Sequence, residues 1–82
     1  MRILVVDDNT ELAQSIGSGL TAEAYAVDLA YDGPTADELV SVNPYDLVGL
    51  DWSIPPPSGL ELLRAWRRQG LTMPVLMLTG RT

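Results

Sequence analysis

Three short runs in this chain have no polar face: Ile3-Leu4-Val5-Val6, Leu47-Val48-Gly49-Leu50 and Val75-Leu76-Met77-Leu78. A strand wetted on one side alternates apolar with polar residues, so a run without alternation reads as a strand covered on both faces. Cover on both faces calls for helices between the strands, and the intervening segments carry helix signals. Asn9 offers an N-cap, Glu11 and Leu12 open a helix, and Leu12, Ile16 and Leu20 form an apolar stripe. Gly17 and Gly19 weaken that helix by about 1 kcal/mol each relative to Ala, and close helix packing is the expected reason. Tyr25 to Ala30 alternates, with Tyr25, Val27 and Leu29 on one face and Asp28 on the other, as in a half-exposed edge strand. Asp32-Gly33-Pro34 turns into a second helix that runs to about Val42, with Ala36, Leu39 and Val40 inward, and Asn43-Pro44 stops it. Pro55-Pro56-Pro57 makes a stiff loop. Ser58 and Glu61 then have capping-box spacing for a third helix, with Leu60, Leu63 and Trp66 inward and Gly70 at its end. The order β-α-β-α-β-α-β forces parallel strands with right-handed crossovers, an α/β doubly wound sheet. At 82 residues the chain is one domain at most. Val75 to Leu78 reads as an interior strand, yet only Thr79, Gly80, Arg81 and Thr82 follow it. The expectation is therefore a fragment, or a second molecule pairing with that strand.

Composition narrows the chemistry. There are 11 acidic and 5 basic residues, for a net charge of −6, and no Lys, His or Cys. Without Cys there is no disulfide or thiol chemistry, and without His and Cys the usual zinc sets and the Ser-His-Asp or Cys-His triads are excluded. Without Lys there is no Schiff base and no Walker-type phosphate loop. The negative balance argues against nucleic-acid binding by this chain. No apolar run nears the roughly 20 residues of a membrane span, and Met1 to Val6 meets Asp7 and Asp8 at once, unlike a signal peptide. A soluble, cytoplasmic protein is expected, with carboxylates as its strong chemical groups.

Those carboxylates are placed suggestively. Ligands of open α/β sheets bind outside the carboxyl ends of the strands, near the topological switch point. Asp7 and Asp8 end the first apolar run and Asp51 ends the middle one. On neighbouring strands ~4.8 Å apart, three acids would share one pocket. Two charges at about 5 Å repel by about 3 kcal/mol at an effective dielectric of ~20, which a proton or a cation can relieve. An Asp-Asp pair alone reads first as a helix entry, and Thr79 alone as a turn residue. A third acid on a second strand end tips the balance toward a cation site, and oxygen ligands without His or Cys suit Mg²⁺.

The same residues carry a family resemblance. Ile3-Leu4-Val5-Val6-Asp7-Asp8-Asn9 resembles the opening of a response-regulator receiver domain of two-component signalling. Tyr45 to Asp51 is similar to that family's third strand with its phosphoacceptor, and Pro55 and Gly59 keep the Asp-x₃-Pro-x₃-Gly spacing. Pro74 to Arg81 is similar to the fourth strand with its hydroxyl switch residue. Asp51-Trp52, Ser58-Gly59 and Leu78-Thr79-x-Arg81 resemble the winged-helix transcription-factor branch in particular. The resemblance implies a flavodoxin-like sheet, incomplete here because the family's fifth strand and last two helices have no counterpart, so that residues 1–82 would be the N-terminal two-thirds of a receiver. It implies that Asp51 accepts a phosphoryl group from the phosphohistidine of a sensor histidine kinase. Asp8, Asp51 and the main-chain carbonyl of Ser53 would bind Mg²⁺ directly, Asp7 would hold it through water, and Thr79 would be the switch. The fifth-strand Lys that contacts the phosphoryl group in receivers has no counterpart in a chain without Lys. DNA binding would belong to an output domain outside this chain, and the uncovered fourth strand suggests a homo-oligomer.

Other features carry less. Gly17-Ser18-Gly19-Leu20-Thr21-Ala22 fits the dinucleotide pattern G-x-G-x-x-A, but lies inside a helical stripe far from its strand. Arg64, Arg67 and Arg68 read as a solvated face suited to a helix C-terminus, with kinase docking as the functional alternative. Trp66 reads as core, and Trp52 as either core or cover for the pocket mouth. Two competing functions are a pseudo-receiver that binds partners without phosphate and a phosphohydrolase with an Asp nucleophile. The latter resembles haloacid dehalogenases, which need a second Asp where Ser53 stands.

Overall fold

A computed structural model describes residues 1–78 of the protein. Strands β1 (Arg2–Val6), β2 (Ala26–Ala30), β3 (Leu47–Asp51) and β4 (Val75–Leu78) alternate with helices α1 (Thr10–Ala22), α2 (Gly33–Val42) and α3 (Gly59–Arg68). All pairings are parallel, and the sheet order is β2-β1-β3-β4. The chain thus leaves β1 in one direction to reach β2 and lies on the other side of β1 at β3. The switch point falls between β1 and β3, where the two acid-tipped strands run side by side. The Thr79 assignment lies outside the described residues.

The apolar runs become the sheet's interior because the two central strands are covered on both faces. Leu4, Val6, Val48 and Leu50 face α2 and α3 and pack with Ala36, Val40, Leu62 and Trp66. Ile3 and Val5 face α1, against Ala13, Ile16 and Leu20. Each fully buried Val or Leu contributes roughly 1.5–3 kcal/mol. Trp66 is wholly buried, as its spacing predicts, and its indole N–H donates to Asp37 Oδ1 at 2.9 Å, tying α3 to α2.

The caps follow the sequence closely. Asn9 accepts from Leu12 N at 3.0 Å and Asp32 from Thr35 N at 2.7 Å. Ser58 and Glu61 form the reciprocal capping box. Gln69 caps the end of α3, and Gly70 follows it with φ +87, a left-handed value that favours glycine.

The phases of two helices differ from expectation. On α1 the buried positions are Ala13 and Gly17, flanked by Ile16 and Leu20, while Leu12 is exposed. Small residues let the helix sit close to the sheet: a Cβ on Gly17 would lie 3.1 Å from Leu29 Cδ2. Gly19 meets open space, and nothing in the structure explains it. On α3 the buried positions are Gly59, Leu62 and Trp66, so Leu62 replaces Leu60 as the inward leucine and Leu63 packs only at the margin. Gly59 sets that phase, because it abuts the backbone of Asp51. Strand β2 is the expected half-exposed edge, beginning at Ala26 rather than Tyr25. Among the described residues, strand β4 stands at the other end of the sheet order, and Leu76 on it is 57 % exposed. Arg67 does more than complement a helix end: it donates to the carbonyls of Leu71 and Met73, both at 2.9 Å, and so holds the connection to β4. No helix among the described residues is long and apolar enough to cross a membrane.

Candidate functional site

The register of β1 on β3 builds the site. Val6 pairs with Leu50, so the next residues, Asp7 and Asp51, lie side by side at the carboxyl ends of the two central strands. Asp7, Asp8 and Asp51 each offer a carboxylate oxygen, and these oxygens lie within 4.8 Å of one another. Asp7 and Asp51 are buried, at 3 % and 2 % exposure, and Asp8 is exposed. The three acids singled out in the sequence are therefore brought together, two walled in and one open to solvent.

Backbone donors aim both buried acids in the same way. Asn9 N donates to Asp7 Oδ1 at 2.9 Å, and Ser53 N donates to Asp51 Oδ1 at 3.1 Å. In each case the acid folds over the residue two positions on, as Asp does at the start of turns. The Ser53 hydroxyl also lies 3.1 Å from Asp51 Oδ1 and 3.3 Å from Oδ2. Ser53 thus reaches Asp51 through both its amide and its side chain, a contact that the sequence reading lacked.

The electrostatics are those of a crowded anionic pocket. Burial pushes the Asp7 carboxyl above the usual carboxylate range. The charges of Asp51 and Asp8 and a hydrogen bond with Asp51 add to the rise, and the Asn9 N–H works against it. Among the described residues, no Arg forms an ion pair with these three acids, and the one salt bridge is Arg2 with Asp28. Repulsion of about 3 kcal/mol between two such charges at an effective dielectric of ~20 is a large cost for a small domain. A site with three clustered carboxylate oxygens and no nitrogen or sulfur donor fits a small hard dication such as Mg²⁺. Trp52, next to Asp51, is 44 % exposed and is not core.

A second polar cluster lies toward the amino ends of the strands, and sequence reasoning missed it. Arg2 donates to Asp28 Oδ2 through Nε at 3.2 Å and Nη2 at 3.0 Å, and Tyr45 Oη donates to the same oxygen at 2.7 Å. The Arg2 guanidinium carbon lies 5.5 Å from the centroid of the Tyr45 ring. Arg2 N donates to Asp46 Oδ2 at 2.8 Å. An Arg opening an apolar strand and an Asp on the polar face of an edge strand were the available signals.

Comparison with known proteins agrees with this geometry. Residues 3–82 match the family model of the response regulator receiver domain. The chain is 42 % identical over 82 residues to the transcriptional regulatory protein TctD of Salmonella typhimurium, covering all of this chain and 37 % of that protein. It is 46 % identical over 80 residues to the transcriptional regulatory protein CutR of Streptomyces coelicolor, covering 98 % of this chain and 37 % of that one. The chain thus spans little more than a third of the length of these relatives. Among solved structures, the receiver domain of Francisella response regulator 1452 superposes with a TM-score of 0.92 at 33 % identity, covering 96 % of this chain and 65 % of that one. The response regulator TrrA of Thermotoga maritima, solved in complex with Mg²⁺-BeF, gives 0.90 at 34 % identity, covering 99 % of this chain and 70 % of that one. Fold, acid placement and sequence kinship agree, and the chain belongs to the response regulator receiver domain family.

Proposed function

We propose that the protein accepts a phosphoryl group on Asp51 from the phosphohistidine of a sensor histidine kinase. The observation that carries this reading is the convergence of Asp7, Asp8 and Asp51 at the switch point, with carboxylate oxygens within 4.8 Å. An Asp51 oxygen attacks phosphorus, the bond from phosphorus to the donor nitrogen breaks, and the imidazole leaves with that electron pair. The product is an acyl phosphate on Asp51.

Each residue has a part in this scheme. Asp8, Asp51 and the main-chain carbonyl of Ser53 would hold Mg²⁺ directly and Asp7 through water, a role that the oxygen-only donor set suits. The ion, when bound, neutralises the carboxylates and the charge developing on the phosphoryl oxygens. The Ser53 N–H and Asn9 N–H fix the rotamers of Asp51 and Asp7, which orients the attacking oxygen before the donor arrives. Thr79 is assigned to hydrogen-bond the phosphoryl oxygens and to pass the change to the surface. The domain is a phosphoacceptor rather than an enzyme in this scheme, and the only catalysis it includes is its own phosphorylation and dephosphorylation.

The relatives named above are transcriptional regulators, which supports relay to a DNA-binding output domain in a cytoplasmic regulator. A second copy pairing through β4 is a further proposed partner. Sedimentation that gives a monomer at all concentrations removes that contact.

Intact mass after incubation with Mg²⁺ and acetyl phosphate tests the central assignment. Gain of one phosphoryl group by the wild type, absent in Asp51→Asn, is the expected outcome. No gain in either protein points instead to a pseudo-receiver.

A further inference from the structure

Helices α2 and α3 both begin on a glycine, Gly33 and Gly59. Glycine is a poor helix former, and the caps here come from Asp32 and Ser58 instead. Neither glycine has the positive φ that marks Gly70. Both are buried, and both abut the segment that joins β3 to α3. A Cβ on Gly59 would lie 2.5 Å from the Asp51 carbonyl oxygen and 3.2 Å from both the Asp51 carbonyl carbon and Trp52 Cα. A Cβ on Gly33 would lie 2.9 Å from the Pro57 carbonyl oxygen and 3.0 Å from Pro57 Cγ. The nearest atoms are main chain, so a side chain at either position has to displace the loop rather than turn a rotamer. Between these two contacts Ile54, 3 % exposed, anchors the loop in the core.

We infer that Gly33 and Gly59 are positioning residues for the phosphoryl-accepting site, clamping the 52–58 loop from both ends so that Asp51 and Ser53 stay in register with Asp7 and Asp8. The inference rests on the assignment of Asp51 as acceptor. Gly59 acts on the backbone of Asp51 itself. Gly33 acts from another helix through Pro57, at the far end of the loop.

The test compares wild type with Gly33→Ala, Gly59→Ala and Gly19→Ala, the last placing a methyl group where nothing lies within 4 Å. Two quantities are read at a temperature where circular dichroism shows the protein folded: the Mg²⁺ midpoint from tryptophan fluorescence, and the rate of phosphoryl gain from acetyl phosphate at saturating Mg²⁺. A misplaced ligand or nucleophile costs roughly 10–100-fold. The expected result is a midpoint about tenfold higher in Gly33→Ala and about 100-fold higher in Gly59→Ala, a slower rate in both, and neither change in Gly19→Ala. Where Gly59→Ala does not fold, Gly33→Ala decides. Loss of thermal stability with unchanged midpoint and rate would mean packing alone and overturns the inference. A wild type that neither binds Mg²⁺ nor gains a phosphoryl group overturns the acceptor assignment instead, and the inference with it.

Discussion

The two ends of the sheet treat aspartate in opposite ways. Toward the amino ends, Asp28 is held by Tyr45 and Arg2, and its carboxyl lies below the usual range, with the Tyr45 hydrogen bond as the largest cause. At the carboxyl ends, Asp7 is buried beside two more acids, and its carboxyl lies above that range. The first cluster favours its charge and ties β1, β2 and the start of β3 together. The second resists its charge, and its clustered carboxylate oxygens could hold a metal ion. The amino end is satisfied by the protein's own groups, while the carboxyl end gathers three acids that could hold a metal ion.

The largest effect that can break this contrast is ligand stabilisation. Mg²⁺ at about 100 times its dissociation constant should raise unfolding stability by about 2.7 kcal/mol. Urea melts should show that gain in wild type and its loss in Asp8→Asn, whereas Tyr45→Phe should retain it. A gain in Asp8→Asn equal to wild type would mean that the acids are not the binding site. Next in size, Asp7→Asn should stabilise the protein by about 1–2 kcal/mol at neutral pH without divalent cations, because it removes one buried charge from a repelling group. Destabilisation in the same melts would show that the Asp7 charge is already compensated. Tyr45→Phe should cost a similar or smaller amount, about 1–2 kcal/mol, for a hydrogen bond to a charged acceptor, and should leave the Mg²⁺ midpoint unchanged. A shifted midpoint would couple the two ends.

The pH profile gives the smallest and most discriminating signals. Asp28, with its folded value lowered, contributes stability that is present above the unfolded value of 3.8 and fades as pH falls through the folded one. Asp7, with its folded value raised, acts in reverse: stability falls as pH climbs from 3.8 through its folded value. Asp7→Asn should therefore flatten the decline on the less acidic side, and Asp28→Ala the loss on the acid side. Tyr45 is pushed up to about 12, first by burial and then by Asp28. Ultraviolet titration should show one tyrosine ionising near pH 12 and moving down in Asp28→Ala, with stability lost as pH rises from 10 toward 12.

Much of the fold was legible because the signals are local. A run such as Leu47 to Leu50 has no wet face, whatever surrounds it, and Ser58 with Glu61 caps a helix through bonds that span three residues. The helix phases were less legible. Leu12 and Leu60 are large and apolar, and hydropathy alone places them inward. The buried faces instead centre on Ala13, Gly17 and Gly59, because contact distance to the sheet decides which side of a helix fits. The Arg2–Asp28–Tyr45 cluster joins three distant positions, and no spacing rule links them.

The candidate site divides along the same line. That three acids end two buried strands is a property of the sequence, since strand length and polarity are written there residue by residue. That Asp7 and Asp51 are neighbours is not. It follows from β3 docking beside β1 in the register Val6–Leu50, with β2 taking the other side. The aim of each carboxylate, set by Asn9 N and Ser53 N, and the close seat of Gly33 and Gly59 against the loop also exist only once the helices are packed. Local sequence sets which groups are present and on which kind of element. Their separation to within a few ångströms depends on packing between segments far apart in the chain, and charge coupling and metal affinity are functions of that separation.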